Sequence, residues 1–304
     1  MLAVCERLLS IQAQDPAGAR LAIRARSRGL TVADFDRALN ERQIVITWLN
    51  RGTLHLVRAE DYFWLQALLV PQPLTSNNTR LAQLGVDADA ADRDVDAIVR
   101  ALAAEGPLTR AQLAERVVHR HAFLHLINRA ARVGLLVRGP MRGKQHCYVL
   151  VHDWLGAAPA IDRDRALREL GARFLAGHAP ADERDLARWA GIPLGQARLA
   201  LRDARPPRRR AAPLPPPRLL GSFDDMLFGW TPRELFVGPH ERLLIAGGMF
   251  LPSMMARGAA VGSWGMPGGR LVLRPFADLT PDDAAAFAAD FADVRRFLGQ
   301  TDVR

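Results

Sequence analysis

The chain opens on a helical period. Leu2, Cys5, Leu8, Leu9 and Ile11 recur at spacings of three and four, an apolar stripe down one face of a helix over residues 2–14. Asp15-Pro16 interrupts it, because the residue before a proline avoids the helical region. An Arg-rich helix over 17–28 follows. Thr31, with Asp34 three positions on, has the form of a capping box and starts a helix running to about Glu41. The period then shortens to two. Ile44, Ile46 and Trp48 alternate with other positions, as do Leu54 and Leu56, and Asn50-Arg51-Gly52 between them has turn chemistry. This predicts a β-hairpin, then a helix from Ala59 to Leu69.

The same order returns. Residues 94–104 read as a helix, Thr109 caps TRAQLAERV, residues 119–133 give a third helix, and LLVRGPMRGKQHCYVLV reads as two strands around a basic tip. From Asp162 three more helices are predicted in DRDRALRELGARFLAGHAP, DERDLARWAG and PLGQARLALRDA, with the Pro/Arg segment RPPRRRAAPLPPP where a third hairpin would stand. Such composition favours an extended linker. Beyond Arg218, LLGSFDDMLFGW, LLIAGGMF, AAVGSWG and GRLVLRPF predict short strands with glycine turns, and residues 282–298 a closing amphipathic helix. Helices followed by a hairpin are the winged-helix order. The expected class is α+β, with tandem winged-helix motifs and a C-terminal β-rich domain. The expected partition is 1–75, 76–155 and a reduced third unit at 156–204, then a linker at 205–217 and the β-rich domain at 218–304.

Charge narrows the function. The chain carries a formal charge of +9 over 304 residues, and Lys144 is its only lysine. Arginine suits phosphate because its planar fork binds two oxygens, so a polyanion is the expected partner, nucleic acid ahead of an acidic membrane surface. An arginine-rich composition of genomic origin would give the same number. With one lysine, a Schiff-base mechanism would have to use Lys144 or the terminal amine. No apolar run reaches the roughly 18 residues of a membrane span, and the first fifteen residues read as an amphipathic helix rather than a signal peptide. Cys5 and Cys147 make no disulfide framework and no zinc pattern. Neither a metal nor a cofactor is expected. A reduced, cytoplasmic setting and a monomer are, since no coiled-coil segment is evident.

Four groups of residues have chemical potential. Gln12 and Gln14 lie on one face if the segment before Pro16 is extended, and on nearly opposite faces if it is helical. Extended, two amides that each donate and accept could hold one water in a fixed orientation; otherwise they cap a helix end or face solvent. Thr53 and His55 share a strand face beside Arg51, placed to contact a phosphate or base, though a structural histidine fits as well. Arg138, Arg142, Lys144 and His146 on the second hairpin suit phosphates or an ordinary solvated tip. Asp224 and Asp225, inside an apolar run, read as a buried carboxylate supporting a site or as a turn and cap. Walker, Rossmann, nucleophile-elbow and zinc-protease motifs are absent.

Taken together, IQAQDP, ITWLNRGTLHLV with a helix beginning AED, FLAGHAPADERDLARWAGI, LLGSFDDMLFGW, GGMF and VGSW come in an order that resembles the AlkZ/YcaQ winged-helix DNA glycosylases over residues 8–276. The resemblance implies three tandem winged-helix motifs, monofunctional excision of N-alkylated purines from double-stranded DNA, bulky adducts and crosslinks included, and a role in self-resistance to genotoxins. It makes Gln12-Ala13-Gln14 the catalytic Gln-apolar-Gln motif of the AlkZ-like branch. The chain departs from the pattern in its third hairpin and at Leu251, where an arginine is usual, and relatives carry a further helix ahead of this start. A winged-helix transcription regulator without enzymatic activity, or an inactive DNA-binding paralogue, is the alternative.

Overall fold

The computed structural model describes residues 1–70, 74–207 and 213–300. The chain forms two compact units, Met1–Phe35 together with the chain from Leu167 onward, and Asp36–Ala166.

The first unit begins with α1 (Leu2–Leu8), β1 (Ile11–Gln12) and α2 (Pro16–Ala25). The predicted helix over 2–14 therefore stops early. Leu9 turns to φ 67°, and the chain runs extended through Ile11 and Gln12 before bending at Gln14 and Asp15. Pro16 then occupies the first turn of α2, where its missing N–H costs nothing, and the Asp15 side chain accepts from the Ala17 N–H at 3.0 Å. α3 (Val32–Asn40) begins with the expected box: Thr31 N–H donates to the Asp34 carboxylate at 2.8 Å, and Asp34 N–H donates to Thr31 Oγ1 at 3.4 Å.

In the second unit, β2 (Ile44–Trp48) and β3 (Leu54–Arg58) form the predicted hairpin, with Val45 opposite Val57 and Thr47 opposite His55. Arg51 takes φ 55° at its turn. α4 (Tyr62–Leu69), α5 (Thr75–Gln83) and α6 (Ala88–Glu105) follow, then β4 (Leu108–Thr109) and α7 (Arg110–Ala114). Thr109 and Gln112 cap α7 reciprocally. Next come α8 (Phe123–Arg132), β5 (Leu136–Arg142), β6 (Gln145–Leu150) and α9 (Val151–Leu155). Ile46 pairs with Arg138, joining the two hairpins in the strand order β3-β2-β5-β6-β4. Ile98, Leu102, Leu113, Leu126, Ile127 and Leu136 form the buried centre of this unit.

The first unit resumes with α10 (Arg163–His178), α11 (Glu183–Ala190) and α12 (Leu194–Leu201), all three at the expected places. Asp182 caps α11, and Gly191, at φ 73°, closes it in the left-handed region that glycine adopts without strain. Part of the expected linker, residues 208–212, lies outside the described residues. β7 (Arg218–Leu219) then leads into a turn of 3₁₀ helix at Asp225–Leu227. α13 (Glu234–Val237) and α14 (Glu241–Leu244) follow where only strands were expected. β8 (Ile245–Ala246), β9 (Met249–Phe250), β10 (Ser253–Ala256), β11 (Ala259–Gly265) and β12 (Val272–Pro275) complete the strands, and α15 (Pro281–Phe297) closes the chain. β7, β10, β11 and β12 make one antiparallel sheet. It buries Leu219, Met254 and Trp264 with Leu21 of α2 and Phe287, Val294 and Phe297 of α15. Arg24 of α2 locks this packing, donating to both oxygens of the Asp290 carboxylate at 2.8 and 3.0 Å and to the Leu219 carbonyl.

Candidate active site

The Gln-Ala-Gln segment is held by its backbone. Gln12 N–H donates to Asp225 Oδ1 at 3.3 Å. Two residues past Gln14, the chain is committed to α2 by the Asp15 cap and Pro16, and the other oxygen of Asp15 accepts from the Ser222 hydroxyl. Both ends of the segment are thus tied to one stretch, Ser222–Asp225. Gln12 is buried and Gln14 exposed, so the motif carries one amide in the interior and one at the surface.

The supporting stretch approaches α2 closely enough to require glycine. A Cβ on Gly18 would stand 2.1 Å from the Ser222 carbonyl oxygen, and one on Gly221 would stand 2.7 Å from the Gly18 Cα. Phe223 then adopts φ 56°, a backbone region costly for a bulky residue and held only where neighbours over-determine it. The two acids that follow are both buried. Asp224 accepts a two-point ion pair from Arg26, at 2.8 and 2.6 Å, and caps the 3₁₀ turn through the Met226 N–H at 3.0 Å. Burial works against the charge of Arg26, but Asp224 outweighs it and holds the guanidinium firmly protonated. Asp224 is therefore matched in charge, and Asp225 touches the Gln12 backbone. For Asp224, the alternatives of buried carboxylate and cap are both realised.

Arg26, Asp15 and Ser222 were not singled out from the sequence. Arg26 is one arginine among four between residues 20 and 28, and nothing in its spacing marks it as the partner of an acid 198 positions away. Asp15 carried a signal, as an N-cap immediately before proline, but only its effect on helix geometry was read.

The remaining candidates lie in the second unit. Arg51 is exposed at its turn, Thr53 is half-buried with its hydroxyl donating to the Asn50 carbonyl at 3.0 Å, and His55 is buried. The His55 Nδ1–H donates to the Thr53 carbonyl at 3.0 Å. Burial, aided by the charge of Arg51, lowers its pKa to about 3, so the imidazole is neutral. On the second hairpin, Lys144 is exposed, and Arg142 reaches back to Gln112 Oε1 at 3.0 Å and the Pro107 carbonyl at 2.9 Å. Arg138 lies between the rings of Trp48 and Tyr148. With Arg110, His146 and Tyr148 it lines a pocket of about 400 Å³. Among the described residues, no group of three or more His, Cys, Asp or Glu is placed to hold a metal, and no helix is long and apolar enough to cross a membrane.

A family model described as DNA glycosylase AlkZ-like matches residues 5–297. An interstrand DNA cross-link repair glycosylase of Streptomyces sahachiroi is 25% identical over 342 aligned positions, covering 97% of this chain and 90% of that protein. The solved structure of the Streptomyces sahachiroi DNA glycosylase AlkZ matches with a TM-score of 0.74 at 24% identity, over 96% of this chain and 89% of that one, a likeness of fold. The match runs from the first helix through α15 and takes in both the Gln-Ala-Gln segment and the stretch that supports it: the chain belongs to the AlkZ-like DNA glycosylase family.

Proposed function

We propose that this glycosylase hydrolyses the N-glycosidic bond of cationic N-alkylated purines in duplex DNA, N7-alkylguanine first, with Gln12 and Gln14 as the catalytic amides and no lyase step. The observation that carries the reading is the extended path at residues 11–12, bent at Gln14 and Asp15 and fastened at both ends to Ser222–Asp225. Leaving the helix before Gln12 lets one water at the boundary between the buried Gln12 and the exposed Gln14 reach both amides. A regular helix would not.

The chemistry fits neutral amides. A guanine alkylated at N7 carries a positive charge, and the electrons of the breaking C1′–N9 bond neutralise it, so the base leaves without strong acid catalysis. What is needed is a water held near C1′, a positional effect. Amides are weak bases, so uracil and 8-oxoguanine, poorer leaving groups, should be left in place. A near-absence of lysine accords with hydrolysis alone. Asp225 holds the motif at the Gln12 N–H, and Asp224 holds Arg26 and the turn that carries Asp225. Arg51, Arg138, Arg142 and Lys144 are assigned to phosphates, Thr53 to the same surface, and His55, neutral and donating to Thr53, to fixing that turn. The helix–helix–hairpin runs at 1–75 and 76–155, and the reduced one at 156–204, are read as winged-helix motifs around a monomeric enzyme. The name of the Streptomyces sahachiroi relative extends the proposal to interstrand crosslinks.

The test is a gel assay on an N7-methylated duplex, developed with heat or alkali to cut at abasic sites. The wild-type chain should produce breaks only after that treatment. Gln14→Ala should retain most DNA affinity and lose excision by at least a hundredfold. Full activity in that variant removes the role assigned to the amides, and binding without base release by the wild type would leave a DNA-binding protein.

A further inference from the structure

The first unit contains a pocket of about 680 Å³ where the chain leaving α2, the approach to β7 and the turn between β10 and β11 meet. It falls inside the size range of small-molecule sites, about 300–1,000 Å³, and neither Gln12 nor Gln14 lines it. Arg26 and Arg28 enter it just after α2, Arg218 from β7 and Arg257 from the turn. No acidic residue is part of its lining. Leu220, Met255 and the segment Pro213–Pro216 supply an apolar wall.

The carboxylates that answer these arginines stand outside the lining, and they do not suffice. Asp224 meets Arg26 at 2.6 Å, and Asp283 meets Arg257 at 2.8 Å. Asp290 is divided between Arg218 and Arg24, and Asp293 between Arg24 and Arg296, so three arginines there share two carboxylates. Arg28 is exposed and has no ion-pair partner among the described residues. One unmatched positive charge thus belongs to Arg28 and another to the cluster that includes Arg218. Donors remain as well. A guanidinium has five N–H donors, and Arg218 and Arg257 each meet their carboxylate through Nη1.

The turn that presents Arg257 is unusual. Arg257 stands at φ 52° and Gly258 at φ 80°, in a two-residue loop between the paired Ala256 and Ala259. Such loops favour Asn, Asp or Gly at the first place. An arginine held there is conformationally costly, a feature that clusters at ligand clamps. Leu214 closes over the same turn: a Cβ on Gly258 would stand 3.8 Å from its Cδ2.

We infer that this pocket binds a nucleotide through a terminal phosphate, with Arg28, Arg218 and Arg257 on the phosphate oxygens and the base or sugar against Met255 and the Pro213–Pro216 segment. Guanidinium forks match phosphate geometry. A phosphate monoester carries about −1.5 to −2 near pH 7, which meets the two unmatched charges. A diester of the DNA backbone brings only about one. The apolar wall adds contact area that inorganic phosphate cannot use. This site is separate from the chemistry proposed for Gln12 and Gln14 and does not rest on it. The monoester can come from a free mononucleotide or from the 5′-phosphate of a DNA strand end.

The test uses the full chain and thymidine 5′-monophosphate, with binding followed by titration calorimetry and phosphorus NMR. Thymidine, inorganic phosphate and the methyl diester of the same nucleotide are the controls. The monophosphate should bind at least tenfold tighter than each of them, and its affinity should fall from pH 7.5 to 5.5 as the phosphate takes up its second proton near pH 6. Arg28→Glu should lose at least tenfold, while Arg28→Lys stays within threefold of wild type. Leu214→Asp, also at an exposed position, should weaken binding by a similar factor to Arg28→Glu. Duplexes with and without 5′-phosphates at their ends distinguish the sources. Tighter binding of the phosphorylated duplex, lost in Arg28→Glu, assigns the site to strand ends; equal binding of the two duplexes assigns it to the free nucleotide. Thymidine, the diester or inorganic phosphate binding as well as the monophosphate overturns the inference, and so does a monophosphate affinity unchanged in both Arg28→Glu and Leu214→Asp.

Discussion

At the scale of single residues, the chain holds two buried histidines that the fold keeps neutral, and this has a measurable consequence. His55 has a pKa near 3 and His178 near 4, each lowered chiefly by burial from an ordinary value of 6.5. Below pH 6.5 the unfolded chain takes up these protons and the folded chain does not. Stability is thus fully present above about pH 6.5 and is lost as pH falls toward 3 to 4, at up to about 1.4 kcal/mol per pH unit for each histidine. Down to about pH 5.5 the carboxylates of the unfolded chain stay almost wholly ionised, so the loss between pH 6.5 and 5.5 comes chiefly from histidines, these two together with His125, which burial also lowers. The thermal midpoint should fall over that interval, and the ring C–H signals of both histidines should stay fixed from pH 8 to 5 by NMR. A normal titration of either ring near pH 6.5 would refute its burial as a neutral group. His55 was legible as a strand residue next to a turn. Its burial was not, because alternation gives a side chain's face and leaves open what covers it. Asp224 and Asp225 were legible because charge inside an apolar run is conspicuous, while Arg26 was lost among its neighbours.

Among the elements, those with local signals stand where the sequence puts them. Capping boxes at Thr31 and Thr109, the Asn-Arg-Gly turn, and Pro16 inside the first turn of α2 are all decided by residues within four positions. The short pieces were not legible. α13 and α14 have four residues each and β8 and β9 two, too few to show a period, and they form because the sheet beside them supplies the missing contacts. Two glycines separate local stability from support of the site. A Cβ on Gly171 of α10 would come 2.0 Å from the Ala200 carbonyl oxygen of α12, and one on Gly18 would come 2.1 Å from that of Ser222. Either Gly→Ala variant forces backbones apart, an overpacking cost of about 1–3 kcal/mol. Only Gly18→Ala displaces the stretch that holds Asp15 and the Gln12 backbone. Both variants should melt earlier, by comparable amounts. At a temperature where both are folded, Gly18→Ala should lose excision by tenfold or more and Gly171→Ala by less than threefold. Equal activities would mean that Ser222–Asp225 does not position the Gln-Ala-Gln segment for the reaction.

For the whole molecule, the decisive fact was not available from sequence order. Element order suggested successive motifs, whereas the contacts gather Met1–Phe35 with the chain beyond Leu167. That grouping is set by contacts such as Arg24 with Asp290, 266 positions apart, and no local pattern encodes them. The 41 lysines and arginines likewise overstate what is offered to DNA. Arg24, Arg26, Arg218, Arg233 and Arg257 are each engaged by carboxylates of their own unit. Phosphate contact should therefore fall to exposed cations without a carboxylate partner, and Lys144 at the tip between β5 and β6 is the clearest case. Each phosphate neutralised contributes about 0.9 to the slope of log K against log salt on duplex DNA. Lys144→Gln should flatten that slope by about one, weaken binding alike on damaged and undamaged duplex, and leave single-turnover excision at saturating protein within twofold. A slope unchanged by the substitution would take this hairpin off the DNA. A slope flattened together with a slower single-turnover rate would place Lys144 at the lesion rather than on the backbone beside it.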